Sequence, residues 1–169
     1  LQVKIVLHNA GGVDPGRTRP GDAYGAPGTL PATRGKDHRL CPNPPHPLGG
    51  AIWVYDPYLP AEMADIVGFL QTSLDNVLQQ CDAVVCLAPL TEGTRGMIGE
   101  RELAMLNPGA VFVNVSRGAI VDSEALIARL KKGDITAGLD VFDPEPIPAD
   151  SEILQLPNVF LSPHFAGLT

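Results

Sequence analysis

Hydrophobic and polar positions divide this chain into two parts near residue 50. From residue 51 onward, short apolar runs alternate with segments of helical periodicity that end in turn residues. Continuous apolar runs of this length are typical of parallel strands, because helices cover both faces of a parallel sheet. The alternation therefore predicts an α/β fold with a doubly wound, mostly parallel sheet.

The individual elements follow from the same pattern. Ser73 and Asp122 are the expected N-caps of two helices, since their side chains can accept a hydrogen bond from the first helical turn. Gly133 is the expected left-handed stop of the helix that Asp122 begins. The predicted strands are 51–55, 82–87, 110–114, 136–141 and 158–162, and the predicted helices are 60–65, 74–80, 100–106 and 123–132. We expect strand 82–87 to be buried on both faces.

The first 50 residues have a different pattern. Only positions 3–8 resemble a strand, and 17 of the 40 residues from 11 to 50 are Gly or Pro. That share exceeds the roughly one quarter that already indicates low complexity. We therefore expect residues 1–50 to be irregular apart from one short strand, residues 51–169 to form the folded domain, and the first βα unit of the sheet to lack a regular form.

Composition and charge exclude several classes of function. The 169 residues carry a formal net charge of −7, whereas a general nucleic-acid binder needs a basic face to displace counterions from phosphates. No apolar run has the length of a membrane span, and no signal-peptide pattern is present. Cys41, Cys81 and Cys86 lack metal-type or redox-type spacing, which favours free thiols in a reducing compartment. We expect a cytoplasmic protein that binds no nucleic acid, membrane or metal.

Three residues with catalytic chemistry follow predicted strands: Arg117, Glu145 and His164. Ligands of open α/β sheets bind at the carboxyl ends of the strands, so these residues stand where a site is expected. A guanidinium can hold a carboxylate through two hydrogen bonds and polarise the adjacent carbonyl. An imidazole can exchange a proton with a hydroxyl, and a carboxylate such as Glu145 can hold the orientation of the ring.

Each of these residues also has a simpler interpretation. A loop arginine is usually only solvated, a lone histidine is more often structural than catalytic, and the turn around Glu145 can be merely rigid and acidic. Asp56, at the end of strand 51–55, can accept the ribose hydroxyls of an adenosine and repel a 2′-phosphate. It can equally well form only the turn before Pro57. Position alone leaves both interpretations of Asp56 open.

Together, the three strand-end segments resemble the NAD-binding domain of the D-isomer-specific 2-hydroxyacid dehydrogenases. The resemblance rests on Asn-Val-Ser-Arg-Gly-Ala-Ile-Val-Asp at 114–122, Asp-Val-Phe-Asp-Pro-Glu-Pro at 140–146 and Ser-Pro-His-Phe-Ala-Gly at 162–167. It covers residues 52–169 and implies a Rossmann-like fold that uses NAD to interconvert a D-2-hydroxy acid and its 2-oxo acid. In that family the arginine binds the substrate, the histidine is the acid and base, and the glutamate tunes the histidine. Those roles pass to Arg117, His164 and Glu145.

The resemblance also implies cofactor contacts and partners. Asp140 matches the family position near the nicotinamide carboxamide, and a homodimer is the family's common assembly. The full set of implied NAD contacts is Asp56, Ala88, Pro89, Val115, Ser116, Arg117, Asp140, His164, Ala166 and Gly167. Two features depart from the family: no Gly-x-Gly-x-x-Gly turn precedes Asp56, and the family's substrate domain is not found in the sequence. A second interpretation therefore stays open, in which the chain is a non-catalytic remnant or interaction module with weak or no cofactor binding.

Overall fold

The fold, seen in a computed structural model that describes residues 3–6 and 52–167, is a parallel sheet with helices packed against it. In this part of the chain seven strands form one sheet, and every neighbouring pair is parallel. The strands are β1 (Val3–Val6), β2 (Ile52–Val54), β3 (Leu70–Gln71), β4 (Ala83–Cys86), β5 (Val111–Asn114), β6 (Thr136–Leu139) and β7 (Val159–Leu161). The α-helices are α1 (Ala61–Val67), α2 (Leu74–Gln80), α3 (Glu100–Ala104) and α4 (Ser123–Leu130), and Gly118–Ile120 and Glu152–Gln155 form short 3₁₀ helices.

The strand order is β3-β2-β1-β4-β5-β6-β7. This is the doubly wound order, in which the direction of winding reverses between β1 and β4. The prediction of a doubly wound parallel sheet is therefore confirmed. Among residues 3–6 and 52–167, none of the helices has the length and apolar character of a transmembrane segment.

β1 is an interior strand of this sheet. It pairs with β2 on one side and with β4 on the other, so that Lys4 stands opposite both Trp53 and Val84. The expected strand at 3–8 is confirmed over Val3–Val6. The expectations for residues 9–50, including the form of the first βα connection, lie outside the described residues.

The hydrophobic core lies between the sheet and one layer formed by α2, α3 and α4. Leu78 of α2, Leu103 of α3 and Leu126 of α4 are each at most 2% exposed and belong to one buried cluster with Phe112 of β5. The prediction that strand 82–87 is buried on both faces is wrong. Val84 and Cys86 are buried, whereas the alternate positions Ala83 and Val85 are only partly buried. Val84 and Cys86 belong to the core beneath the α2–α4 layer.

Local signals located the helix ends well. Ser73 Oγ accepts a hydrogen bond from the Asn76 amide at 3.3 Å, and Asp122 Oδ1 accepts one from the Ala125 amide at 3.0 Å. Gly133 has a φ of 73°, so the predicted left-handed stop is confirmed. The two-residue strand β3 and the two 3₁₀ helices were not predicted, since segments this short carry no hydrophobic period.

Helix α3 ends two residues earlier than predicted, and a side chain from α4 binds one carbonyl in its last turn and one just after it. The Arg129 guanidinium donates to the Leu103 carbonyl at 3.1 Å and to the Leu106 carbonyl at 3.0 Å, and it also pairs with Asp134. Arg129 is only 7% exposed. A buried guanidinium is tolerated here because carbonyls and a carboxylate satisfy its donors.

Candidate active site

The predicted site residues lie along the carboxyl edge of the sheet. Asp56 follows β2, Ala88 and Pro89 follow β4, and the Arg117 loop follows β5. Asp140 and Glu145 follow β6, and His164 follows β7. Since the strands are parallel and spaced by roughly 4.8 Å, the edge from β2 to β6 spans roughly 19 Å over four intervals. The edge can therefore hold a ligand with two separated ends, and it brings the loops of β5, β6 and β7 next to one another.

His164 and Glu145 form the closest pair at this edge. His164 Nδ1 lies 3.0 Å from both carboxylate oxygens of Glu145, and both side chains are a little more than two-fifths exposed. A carboxylate on Nδ1 places the proton on that nitrogen and leaves Nε2 available for another partner. Both peptide bonds in the Glu145 turn that precede a proline, at Pro144 and Pro146, are cis.

Arg117 is held in a loop that the Asn114 side chain organises. Asn114 Oδ1 accepts hydrogen bonds from the Ser116 amide at 3.1 Å and from the Ser116 hydroxyl at 3.0 Å. Asn114 Nδ2 donates to the Arg117 carbonyl at 3.1 Å. The exposed guanidinium of Arg117 donates from Nη1 to the Ser116 carbonyl at 2.7 Å. One side of the guanidinium is thus fixed against its own loop.

Gly118 connects the Arg117 loop with the loop that carries Glu145. A Cβ built on Gly118 would lie 2.0 Å from the Phe142 carbonyl oxygen and 2.7 Å from the Asp143 amide nitrogen. The two backbones therefore touch at a position where only glycine fits. The Ser123 hydroxyl adds a second link, since it donates to the Asp143 carbonyl at 2.6 Å. The structure brings Glu145 and His164 together directly, and this backbone contact joins the loop of Arg117 to the loop of Glu145.

Asp140 makes more hydrogen bonds than any other carboxylate of the predicted site. Its Oδ1 accepts from the Ser162 hydroxyl at 2.5 Å and from the Phe165 amide at 3.1 Å, and its Oδ2 accepts from the Ala166 amide at 2.9 Å. These bonds, the Ser162 bond above all, lower the pKa of the Asp140 carboxyl against the opposing effect of burial. Asp140 is therefore a carboxylate held by the loop that carries His164.

Asp56 is 2% exposed at the end of β2. Its Oδ1 accepts a hydrogen bond from the Tyr58 amide at 2.9 Å, which is the turn interaction that the simpler interpretation predicted. No described residue donates a hydrogen bond to Oδ2. Asp56 can therefore stabilise the turn with Oδ1 and still accept a hydrogen bond from a ribose hydroxyl with Oδ2.

The loop after β4 is held by its own threonines. Thr94 Oγ1 donates to the Pro89 carbonyl at 2.6 Å and accepts from the Thr91 amide at 2.8 Å. Beneath this edge, Cys86 Sγ lies 3.4 Å from Ser116 Oγ. Burial raises the pKa of the Cys86 thiol, although the Ser116 hydroxyl partly opposes the shift. Cys86 is thus a protonated core thiol, as the sequence predicted for a buried free cysteine.

A cleft of about 480 Å³ borders the Glu145 side of the site. Its volume is within the range of small-molecule pockets, and its lining is mostly apolar. Glu145 and Asp140 contribute to the wall, but Arg117 and His164 do not. The lining residues are Leu139, Asp140, Val141, Phe142, Glu145, Pro146, Ile147, Leu154, Leu161, Ser162 and Pro163.

Sequence reasoning assigned no role to Asn114 or Ser162, which together with Gly118 organise the three loops. Asn114 could have been found, because a polar residue at the end of an apolar strand indicates a buried hydrogen-bonding role. The partner of Gly118, Phe142, and the partner of Ser162, Asp140, could not be predicted, because each lies more than 20 residues away in the chain.

The strand order and the polar residues along the carboxyl edge define a dinucleotide-binding α/β domain. The family model described as D-isomer specific 2-hydroxyacid dehydrogenase, NAD binding domain, matches residues 45–166, which is more than half of the chain. The chain therefore belongs to the D-isomer-specific 2-hydroxyacid dehydrogenase family. The resemblance found in the sequence is confirmed.

Known proteins similar to the chain are reductases and dehydrogenases of this family. Glyoxylate/hydroxypyruvate reductase B of Enterobacter agglomerans is 50% identical over 97 residues, which are 57% of this chain and 30% of that enzyme. A D-isomer-specific 2-hydroxyacid dehydrogenase of Xanthobacter autotrophicus, crystallised with NADPH and MES, is 36% identical with a TM-score of 0.65, over 72% of this chain and 50% of that one. The corresponding enzyme of Lactobacillus delbrueckii, crystallised with NAD, is 31% identical with a TM-score of 0.62, over 72% and 40%. The chain thus spans less than a third of the reductase and half or less of the two dehydrogenases.

Proposed function

We propose that the chain acts in an NAD-dependent oxidoreductase that interconverts a D-2-hydroxy acid and its 2-oxo acid. The observation that carries this proposal is the bond between His164 Nδ1 and the Glu145 carboxylate, with 3.0 Å to each oxygen. This arrangement leaves Nε2 to take the proton of a substrate hydroxyl and to return it in the reverse direction. The names of the relatives favour small 2-oxo acids such as glyoxylate and hydroxypyruvate.

Arg117 is the proposed substrate-binding residue. Its Nη1 is engaged with the Ser116 carbonyl, and the rest of the guanidinium offers donors in the planar geometry that suits a carboxylate. Binding of the substrate's carboxylate would place the neighbouring 2-oxo group beside the positive charge, which stabilises the alkoxide that forms during reduction. The Gly118 contact holds the backbone of the Arg117 loop against the Glu145 loop.

The residues along the strand edge fit an NAD molecule. Bound NAD would supply or accept the hydride at its nicotinamide ring. Asp56 would bind the adenosine ribose, and Ala88 and Pro89 would lie beside the adenosine. The nicotinamide half would lie against Val115, Ser116, Arg117, Asp140, His164, Ala166 and Gly167. On Asp140, Oδ2 has accepted one hydrogen bond and keeps a second lone pair for a carboxamide N–H.

Asp56 favours NAD over NADP in this proposal. A carboxylate at the ribose would repel a 2′-phosphate, and like charges placed together cost binding energy. The variant Asp56→Asn tests this idea cleanly, because its Oδ1 can still accept from the Tyr58 amide. We expect the preference for NADH over NADPH to fall by about tenfold, which corresponds to about 1.4 kcal/mol. An unchanged preference would show that Asp56 serves only the turn.

The enzymatic proposal is tested by titrating the protein with NADH, following nicotinamide fluorescence, and then adding glyoxylate or hydroxypyruvate. We expect saturable binding and turnover. His164→Gln should abolish turnover while leaving the Kd for NADH within a few fold, and Arg117→Lys should raise the KM for the 2-oxo acid because the bidentate geometry is lost. A variant His164→Gln that turns over at the original rate would exclude His164 as the acid and base.

A second candidate function is an interaction module that keeps the fold but binds little or no cofactor. The observation in its favour is the sequence between β1 and β2, which contains no Gly-x-Gly-x-x-Gly turn. In dinucleotide-binding domains that turn brings the pyrophosphate to a helix N-terminus. Absence of NADH binding at millimolar cofactor would support this second function.

A further inference from the structure

Asp140 is surrounded by the loop that carries His164. Three donors from that loop, the Ser162 hydroxyl and the Phe165 and Ala166 amides, bind the two oxygens of one carboxylate. These donors lie two residues before His164 and one and two residues after it. The carboxylate therefore holds the loop on both sides of His164, whereas Asp140 itself is fixed at the end of β6.

His164 needs such support because of its backbone conformation. Its φ is 55°, and it is the one residue other than glycine in the described part of the chain with a positive φ. Residues with a Cβ rarely adopt this left-handed region unless their surroundings enforce it. The bonds to Asp140 on either side of His164 provide that constraint, and the backbone places the ring on Glu145.

We propose that Asp140 is the positioning residue for His164: its carboxylate fixes the loop 162–166 in the left-handed turn that presents the imidazole to Glu145 and to the substrate. This role is in addition to the cofactor contact that the family resemblance implies, and it rests on the proposed function of His164. The two roles use different lone pairs. Oδ1 is fully occupied by Ser162 and Phe165, and Oδ2 has one lone pair left after Ala166.

The lowered pKa of Asp140 agrees with this geometry. The first cause is the Ser162 hydroxyl, and the Ala166 and Phe165 amides act in the same direction. The carboxylate therefore stays charged, and keeps its three bonds, to a lower pH than an ordinary aspartate would.

The first test measures the loop without any cofactor. Amide hydrogen exchange of Phe165 and Ala166 is followed by NMR in the wild-type protein and in Asp140→Asn and Ser162→Ala. We expect both amides to exchange at least about tenfold faster in Asp140→Asn, because their hydrogen bonds to a charged acceptor are lost. The exchange rates in Ser162→Ala should lie between those of the wild type and those of Asp140→Asn. The ¹⁵N shift of His164 Nδ1, which reports its bond to Glu145, should move in the same order. Asp143→Asn, an equal loss of charge at an exposed position of the neighbouring loop, is the matched control and should leave both readouts unchanged.

The second test uses turnover and separates positioning from cofactor binding. Ser162→Ala keeps both Asp140 oxygens, so we expect the KM for NADH to stay within twofold. Because the loop loses one of its bonds to Asp140, kcat for the 2-oxo acid should fall about tenfold. Ser162→Thr returns the hydroxyl and should restore kcat. A change in the KM for NADH alone would leave Asp140 only its cofactor role and overturn the proposal.

The two tests fail independently. Exchange rates of Phe165 and Ala166 that are the same in Asp140→Asn and the wild type would overturn the positioning role, whatever the activity. A wild-type protein that does not bind NADH would refute the proposed function, and faster exchange in Asp140→Asn would still establish that Asp140 holds the His164 loop.

Discussion

Replacement of Gly118 by alanine tests the contact that joins the Arg117 loop to the Glu145 loop. The new Cβ would lie 2.0 Å from the Phe142 carbonyl oxygen and 2.1 Å from its carbon, whereas real Cβ contacts are essentially never under 3.0 Å. The two backbones must therefore separate by about 1 Å, the difference between 3.0 and 2.0 Å. Because the atoms in conflict are backbone atoms, no side-chain rotation can relieve the overlap.

The expected loss of stability in Gly118→Ala follows from the cost of overpacking. Such changes destabilise by about 1–3 kcal/mol, and a conflict between backbones belongs at the upper end, about 3 kcal/mol. For a chain of this size each kcal/mol lowers Tm by about 2–4 °C, so we expect a decrease of about 6–12 °C. If the protein turns over, a displacement of 1 Å between Arg117 and Glu145 should also reduce kcat by about a hundredfold.

The assay is thermal unfolding followed by circular dichroism, with Gly138→Ala as the matched control. At Gly138 a Cβ would meet nothing closer than Val113 Cγ2 at 3.8 Å, which is ordinary van der Waals contact. We expect Gly138→Ala to change Tm little. If Gly118→Ala melts as close to the wild type as Gly138→Ala does, the two loops can separate freely and the contact does not fix their spacing.

Three further predictions concern the side chains beneath the site. Asn114→Ala should lower the free energy of unfolding in urea by about 2–3 kcal/mol, because it leaves a buried amide and carbonyl without partners; a loss below about 0.5 kcal/mol, as at ordinary surface positions, would mean that water replaces them. The pKa of Asp140 is lowered from 3.8 in the folded protein, so its stabilising contribution is complete above that value and is lost as the pH falls through the lowered one. The urea midpoint should therefore fall more steeply on acidification below about pH 4 in the wild type than in Asp140→Asn; parallel curves would contradict this. In a Cys41→Ser variant, the buried Cys81 and Cys86 should react with Ellman's reagent only as the protein unfolds, and rapid reaction of a full thiol equivalent in the native protein would refute their burial.

The sequence predicts this fold well where the signal is local. The caps at Ser73 and Asp122 and the stop at Gly133 depend on neighbours three or four residues away, and each is found where it was predicted. Strand β3 was not predicted, because a segment of two residues is too short to show a hydrophobic period. The one-sided burial of β4 was missed because it depends on which helices pack against the sheet.

The site is only partly predictable for a related reason. Parallel strands place Glu145 and His164 at one edge, so their proximity could be anticipated from strand ends alone. The loop contacts at Gly118 and Asp140 join segments more than 20 residues apart, and nothing near them in the chain reports the partner. The direction of the Arg117 guanidinium likewise depends on the carbonyl that receives it.

The interior position of Val3–Val6 in the sheet limits how this protein can be truncated. Production of residues 51–169 alone, the segment that the sequence pattern suggests as a self-sufficient unit, would remove the one strand that bridges β2 and β4. Strands β2 and β3 would be separated from β4–β7, and the unpaired edges of the two pieces would promote aggregation.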